Sequence, residues 1–373
     1  MLRFLIPPRP LVAAVRLSQL CSHLVKRAQF SIMAYPKTIK AVGIHKTGGV
    51  EVIEDLELPF PEVKPDHLLI KVQWGGVNFI DTYLRSGLYP TPFLPLPIAK
   101  EVAGVIIELP TDASVLNNPQ YQKRGFKKGG SVAVDVTGGL KEYVSAPWDV
   151  AYPLPDGIST RTAAASVLQG LTALTLLTES HNVQKGETVL IHTVAGGVGL
   201  LMAQIAKARG ATVVGTTSTP QKAELAKQHG ADHVILYKQE NTVQRVLEIT
   251  GGEGVHAIFD GVGKDTFDSD FEMIRRKGTL VSFGNASGPV PPVPLLKLTP
   301  KNVKLLRPTV SNYTATVEER DYYGAQLFKL IADGDLKINV HGEYPFTAEG
   351  VRQAQLDLVG GKTAGKLVIK VSE

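Results

Sequence analysis

Residues 188–216 read TVLIHTVAGGVGLLMAQIAKARGATVVGT. An apolar, β-branched run of strand length (188–193) leads into Val194-Ala195-Gly196-Gly197-Val198-Gly199, and a helical pattern follows at once. A tight glycine turn between a buried strand and a helix is the setting of a dinucleotide-binding fingerprint. Gly196 lets backbone approach a pyrophosphate, Gly199 lets the helix pack close to the strand, and the first amides of the helix, with its dipole, face the phosphate. The first glycine of the G-x-G-x-x-G pattern is replaced here by Val194.

Outward from this turn, strand-like pulses recur at 188–193, 212–216, 233–236, 256–260 and 279–283, their starts 21 to 24 residues apart. Helical segments at 199–209, 220–228 and 242–249 fill the gaps. Strand and helix alternating at this spacing predict a doubly wound parallel sheet. Upstream, from residue 36 to about 160, short strands such as KTIKAVGI (37–44), HLLIKVQWGGV (67–77) and EVAGVIIEL (101–109) are punctuated by Gly and Pro and predict a mostly antiparallel β domain. Residues 113–128 show no clear period and are expected to form an exposed loop. The Pro-rich stretch 288–296 reads as a stiff loop. Beyond residue 305 come one helical segment (318–332) and a closing strand (366–371), a tail expected to return to the first domain. The expected organisation is thus an N-terminal segment 1–33, a β domain over 34–161, a dinucleotide domain over 162–304, and a return over 305–373.

Composition excludes several function classes. The single cysteine, Cys21, rules out an intrachain disulfide and a tetrathiolate zinc site. The nine histidines form no H-E-x-x-H pair, so no metal is expected; no G-x-S-x-G nucleophile elbow occurs either. No apolar run is long enough to span a bilayer. Of 40 basic residues, five lie in 1–33, which has no acid, leaving 35 against 35 acidic residues in the body and no general argument for nucleic-acid or membrane binding. The basic, apolar N-terminal segment reads either as a mitochondrial presequence or as an upstream extension with Met33 as the true start, so the location is cytoplasmic or mitochondrial.

The cofactor can be read further. An NAD site places a carboxylate at the end of the second strand to bind the ribose 2′-hydroxyl. Residues 215–222, GTTSTPQK, contain none. Ser218 can donate a hydrogen bond there and Lys222 supplies charge, which favours NADPH; the alternative for Lys222 is an ordinary solvated helix lysine.

GVNFIDTYLRSGLYP (76–90), TVAGGVG (193–199), LQGLTA (168–173), FDGVGKDTFD (259–268) and VSFGNASG (281–288) together resemble the zeta-crystallin-like quinone oxidoreductases, from about residue 36 to 371. The resemblance implies an α/β fold in which a GroES-like β domain is interrupted by a Rossmann domain, and a zinc-independent enzyme of the medium-chain dehydrogenase/reductase superfamily. It implies NADPH-dependent quinone reduction. Reduction of a 2-alkenal, enone or enoyl-thioester shares the architecture, and relatives also suggest AU-rich RNA binding as a secondary role. At the positions of the zinc ligands of metal-dependent relatives stand Asn78, Lys100 and Gln169. The resemblance assigns Asn78, Asp81, Tyr83 and Tyr89 to the substrate cleft, Asp81 being equally able to brace its loop. It assigns Gln169 and Thr172 to the nicotinamide end, Phe283, Asn285 and their neighbours to the wall facing the nicotinamide amide, and Tyr237 with Lys222 to the 2′-phosphate pocket. Arg307 falls near the cleft, and Lys366 in the TAGK motif against the cofactor domain. Lys100 departs from the family pattern and points either into the cleft or to solvent. A homodimer is also implied, for which a hydrophobic strand such as TLVSFG (279–284) could pair across a two-fold.

Overall fold

The computed structural model describes residues 35–373; the segment 1–33 discussed above lies outside them. The first part of the described chain comprises β1 (Thr38–Ile44), β2 (Ile53–Pro59), β3 (His67–Val77), α1 (Phe79–Ser86), β4 (Leu96–Pro97), β5 (Glu101–Glu108), α2 (Ala113–Leu116), α3 (Pro119–Arg124), β6 (Ser131–Asp135), β7 (Tyr143–Pro147) and β8 (Ala151–Pro153). Its strands pair antiparallel throughout. Their inward side chains, among them Val42, Ile44, Leu68, Ile70, Val72, Val102 and Ile106, form one apolar core. Burial of such a cluster removes apolar surface from water, the main favourable contribution to folding.

The second part runs α4 (Thr160–Ala164), α5 (Val167–Thr175), β9 (Thr188–Ile191), α6 (Gly197–Ala208), β10 (Thr212–Thr217), α7 (Pro220–Gln228), β11 (His233–Leu236), α8 (Thr242–Ile249), β12 (Val255–Asp260), α9 (Phe267–Met273), β13 (Ile274–Ser282) and β14 (Lys304–Leu306). Its six strands are all parallel, in the order β11-β10-β9-β12-β13-β14. The order reverses between β9 and β12, and ligands of open parallel sheets bind at such a reversal, beyond the strands' carboxyl ends. The strands are buried on both faces, as in Val189-Leu190-Ile191 and Ala257-Ile258-Phe259, which is why they read as continuous apolar runs rather than alternations.

The tail forms α10 (Val310–Tyr313), α11 (Val317–Ala332), β15 (Val340–Pro345), α12 (Ala348–Val359) and β16 (Lys366–Lys370). β16 lies antiparallel to β3, so the chain returns to the first sheet, a seven-stranded layer ordered β15-β16-β3-β5-β6-β8 with β7 also on β3. The fold is therefore α/β, a GroES-like β unit interrupted by a Rossmann sheet. Among the described residues, no helix is long and apolar enough to cross a membrane.

Four expectations are corrected. Residues 113–128 are not an open loop but carry α2 and α3. Asp112 accepts from the Ser114 amide (2.7 Å) and Asn118 from the Gln120 amide (2.8 Å), with Pro119 in the first turn. These are N-caps, and helices this short are too brief to display a 3.6-residue period. The tail holds more than one helix and one strand: α12, capped by Thr347, buries Val351 and Ala354. TLVSFG is not a free edge, because β13 has β12 on one side and β14 on the other. Lys100 points neither into the cleft nor freely to solvent; it pairs with Asp135 at 2.6 Å.

Arg124 fastens α3 to the tail. Its buried guanidinium donates to the carbonyls of Trp148 (3.0 Å), Asp149 (3.0 Å) and Ala151 (2.8 Å) and to Asp321 of α11 (2.8 Å). We predict that Arg124→Met lowers stability by about 3 kcal/mol, because acceptors and a partly buried carboxylate lose their donor. Asp321→Asn, which keeps a hydrogen-bonding side chain, is expected to cost about 1 kcal/mol. Urea unfolding of both variants checks the ranking.

Candidate active site

A cleft of about 460 Å³ opens where the Rossmann strands end, between the parallel sheet and the GroES-like unit. Its floor is the glycine turn. Thr193 takes a left-handed conformation (φ 54°), and its amide donates to Thr216 Oγ1 at 3.2 Å. Gly199 faces the backbone so closely that a Cβ there would lie 2.5 Å from the Thr193 carbonyl oxygen. The helix–strand approach required of the third glycine is thus built in. Val194 fills the space that Gly215 of β10 leaves open: a Cβ on Gly215 would sit 2.5 Å from Val194 Cβ. The glycine missing from the turn reappears on the neighbouring strand. Gly196 is the N-cap of α6, whose first residues are Gly197 and Val198. Thr193, Ala195, Gly196, Gly197, Val198 and Gly199 line the cleft, while Val194 is turned into the core, and a phosphate-bearing ligand fits against the glycines at the start of α6.

The tail closes over this turn. The Gly365 amide donates to the Ala195 carbonyl (3.1 Å), which places the TAGK stretch against the turn. At one end of the cleft, Ser218, Lys222 and Tyr237 follow β10 and β11. Lys222 Nζ donates to the Gly361 carbonyl (2.6 Å). Burial, reinforced by Lys238, holds its ammonium below the ordinary lysine range. Lys222 is therefore a tethered cation in the cleft wall rather than a freely solvated side chain.

At the other end stand Asn78, Tyr83 and Tyr89 from α1 and its flanks, Gln169 and Thr172 from α5, and Phe283 and Arg307 from the ends of β13 and β14. Hydrogen bonds join the two sides. The Asn285 amide donates to the Tyr83 hydroxyl (3.0 Å), and Asn285 Nδ2 donates to the Tyr89 hydroxyl (3.2 Å). Arg307 donates to the Tyr89 hydroxyl (2.9 Å) and to the carbonyls of Ser282 and Gly284 (both 3.0 Å). Tyr89 oxygen thus accepts two hydrogen bonds, which leaves its own hydrogen to be donated elsewhere. Burial pushes the Tyr83 hydroxyl up to about 12, so it stays protonated at neutral pH. Asn285 itself lies behind the surface, and its neighbours Gly284 and Ala286 face the cleft.

Two residues expected at the cleft lie one layer back. Asp81 accepts from the Asn78 amide (2.8 Å) in a reciprocal capping box at the start of α1, and burial pushes its carboxyl up to about 7. Lys366 is fully buried; its ammonium contacts Asn78 Oδ1 (2.7 Å) and forms an ion pair with Glu101. Glu101 in turn accepts from Asn78 Nδ2 (2.9 Å) and from the Leu168 amide (2.7 Å), at the start of the helix that carries Gln169 and Thr172. The sequence reading gave Glu101 no role. A signal was available in Gly75-Gly76: a Cβ on Gly76 would stand 2.4 Å from Glu101 Oε1, so the β3 glycine leaves room for this carboxylate. Of the three positions matched to zinc ligands, Asn78 and Gln169 face the cleft and Lys100 does not. Among the described residues, no three His, Cys, Asp or Glu side chains come together as a metal site.

Breaking one member of a buried pair strands the other charge. Glu101→Gln is expected to cost about 3–5 kcal/mol. The double variant Glu101→Gln/Lys366→Met should recover more than half of that loss, since no buried ion remains. Denaturant titration of the single and double variants measures both.

Two families of known proteins match this chain: the Alcohol dehydrogenase GroES-like domain over residues 64–156, and the Zinc-binding dehydrogenase over residues 197–324. A Quinone oxidoreductase of Salmonella typhimurium is 39% identical over 329 residues, which is 88% of this chain and 98% of that protein. A 2-haloacrylate reductase of a Burkholderia species is 30% identical over 339 residues, 89% of this chain and 98% of that one. The crystal structure of Escherichia coli quinone oxidoreductase complexed with NADPH superposes with a TM-score of 0.82 at 36% identity, covering 89% of this chain and 99% of that one. With both halves of its fold and nearly the whole length of these relatives accounted for, the chain belongs to the zeta-crystallin-like quinone oxidoreductases of the medium-chain dehydrogenase/reductase superfamily.

Proposed function

We propose that this protein is an NADPH:quinone oxidoreductase that works without a metal. The observation that carries this reading is one cleft with a glycine-rich turn in its floor. A tethered cation and a hydroxyl lie at one end, and a tyrosine pair held by Arg307 lies at the other. The bound cofactor would supply a hydride from its nicotinamide ring. Gly196, Gly197, Val198 and Gly199 would hold the pyrophosphate, and Ser218, Lys222 and Tyr237 the 2′-phosphate. Gln169, Thr172 and Phe283 would pack at the nicotinamide end, with Asn285 supporting the wall there. Lys366 would act from behind, by fixing Asn78. On the acceptor side, Tyr83 and Tyr89, with ring centroids 5.1 Å apart, offer flat apolar surface and hydroxyls to a quinone. Tyr89, whose oxygen already accepts from Arg307 and Asn285, would donate its hydrogen to a quinone oxygen as negative charge develops there.

The same donor favours a second reading, reduction of an α,β-unsaturated carbonyl. A carbonyl oxygen placed at Tyr89 would be polarised in the same way, and one relative is named for a 2-haloacrylate. RNA binding would be secondary. For a homodimer, the six-stranded sheet ends at β14 on one side and β11 on the other, and the segment leading into β14 carries Leu295 and Leu296, which are 80% and 82% exposed. Exposed apolar side chains of that size suit a second copy better than water.

The test is NADPH oxidation by the chain from residue 34 onward, with 9,10-phenanthrenequinone or 1,4-benzoquinone against a 2-alkenal, and with NADH and chelator as controls. We expect chelator-resistant turnover of quinone with NADPH in preference to NADH. Turnover of the alkenal alone would move the function to the second reading. Lys222→Ala is expected to raise KM for NADPH roughly tenfold, equivalent to about 1.4 kcal/mol, and to leave KM for NADH unchanged.

A further inference from the structure

His192 directly follows β9 and immediately precedes the left-handed Thr193 of the glycine turn. It is among the residues that line the cleft, yet its side chain is only 2% exposed. Both ring nitrogens are engaged. Nε2 lies 2.8 Å from Asp270 Oδ1 of α9, and Nδ1 lies 3.1 Å from Thr216 Oγ1 of β10. That same Thr216 oxygen accepts the Thr193 amide (3.2 Å). The imidazole is thus linked to the turn residue Thr193 by two hydrogen bonds that share the Thr216 oxygen. Thr216 also lies two residues before Ser218, so one ring sits under both cofactor-facing loops.

The charge around it is unusual. Asp270 and Asp260, the latter at the end of β12, are fully buried, and one oxygen of each (Oδ2) has no partner. Asp260 spends its other oxygen on the amides of Val262 (2.7 Å) and Gly263 (3.1 Å) and on Thr266. These two carboxylates are the titratable groups that act on the ring; from β10 it meets only the Thr216 hydroxyl. Burial alone disfavours the imidazolium, but Asp270 and Asp260 outweigh it, and His192 is held above the ordinary histidine range. Burial lifts Asp270 to about 6, against the pull of His192.

We propose that His192 is a positioning residue for the anionic cofactor: its imidazolium offsets the carboxylates behind the phosphate turn and anchors Thr193 through Thr216, so cofactor affinity falls as His192 loses its proton. This rests on the dinucleotide reading above. The sign follows from the geometry. Below its folded-state titration the ring carries hydrogen on both nitrogens, donating to Asp270 and Thr216, and the pyrophosphate faces a compensated pair. Above it, negative charge stands uncompensated behind the turn and repels the ligand's own.

The experiment is NADPH binding by fluorescence titration from pH 6.5 to 9 with wild type, His192→Asn and Asp270→Asn, where Asn keeps one hydrogen bond without a charge. The cofactor's 2′-phosphate titrates equally for all three, so the ratio of dissociation constants isolates the pair. We expect wild type to weaken on the order of tenfold relative to each variant across this range, as expected for a buried unit charge near a bound anion. A ratio that stays constant with pH overturns the proposal. If the variants do not fold, histidine NMR of the wild-type protein gives the second measurement. Reciprocity requires bound NADPH to raise the titration midpoint of the buried histidine, and an unmoved midpoint overturns the proposal. Absence of NADPH binding to wild type at every pH would overturn the cofactor assignment and this inference together. Binding with a flat ratio overturns this inference alone.

Discussion

One ammonium group, on Lys366, sits where four pieces of chain meet. It comes from β16, pairs with Glu101 at the head of β5, touches Asn78 at the cap of α1, and through Glu101 reaches the first turn of α5. In water such a pair would be worth little; enclosed, it has no replacement partners and the four segments are held in one arrangement. The cleft residues on these segments, Asn78, Gln169 and Thr172, inherit their positions from it. Asn78 and Gln169, two of the positions that the sequence reading matched to zinc ligands, are thus placed through an organic cation and its carboxylate.

The cofactor side of the cleft rests on a different kind of constraint, close backbone approach. Gly199 lets α6 come down on the turn, and the Gly215–Val194 exchange keeps the same volume with the glycine on the other strand. The acceptor side is polar and crosses the cleft: Arg307 and Asn285 from the parallel sheet hold the hydroxyls of Tyr89 and Tyr83 from the β unit. The two halves of the molecule are joined by the very groups proposed to meet the substrate.

The parallel sheet was readable from sequence because its strands are buried on both faces and recur at a fixed spacing, so the apolar pulses stand out. The GroES-like strands β3 and β5 were readable for a similar reason. α2 and α3 were not, since their stability comes from caps at Asp112 and Asn118 rather than a long amphipathic stripe; α12 was not read either, although it buries Ala348, Val351 and Ala354 on one face. In the cleft, residues whose chemistry is local, such as the glycine turn, Ser218 and Lys222, could be placed by motif. The groups one layer behind them could not. Glu101 and His192 matter through partners tens to hundreds of positions away, and a single sequence carries no marker of such partnerships beyond the glycine at 76 that makes room for one of them.

The Asn78–Lys366 contact spans 288 residues, with the entire Rossmann sheet lying between. During synthesis β9 to β14 emerge as one contiguous run, whereas the sheet begun by β3 and β5 is completed only when β15 and β16 follow. Until β16 leaves the ribosome, residues 74–77 of β3 offer an unpaired edge and Glu101 a carboxylate without its counter-ion. Closing so long a loop is slow, and exposed strand edges are adhesive. The interrupted architecture therefore makes the interval before the last strand is added the moment at which this chain most needs protection from its neighbours.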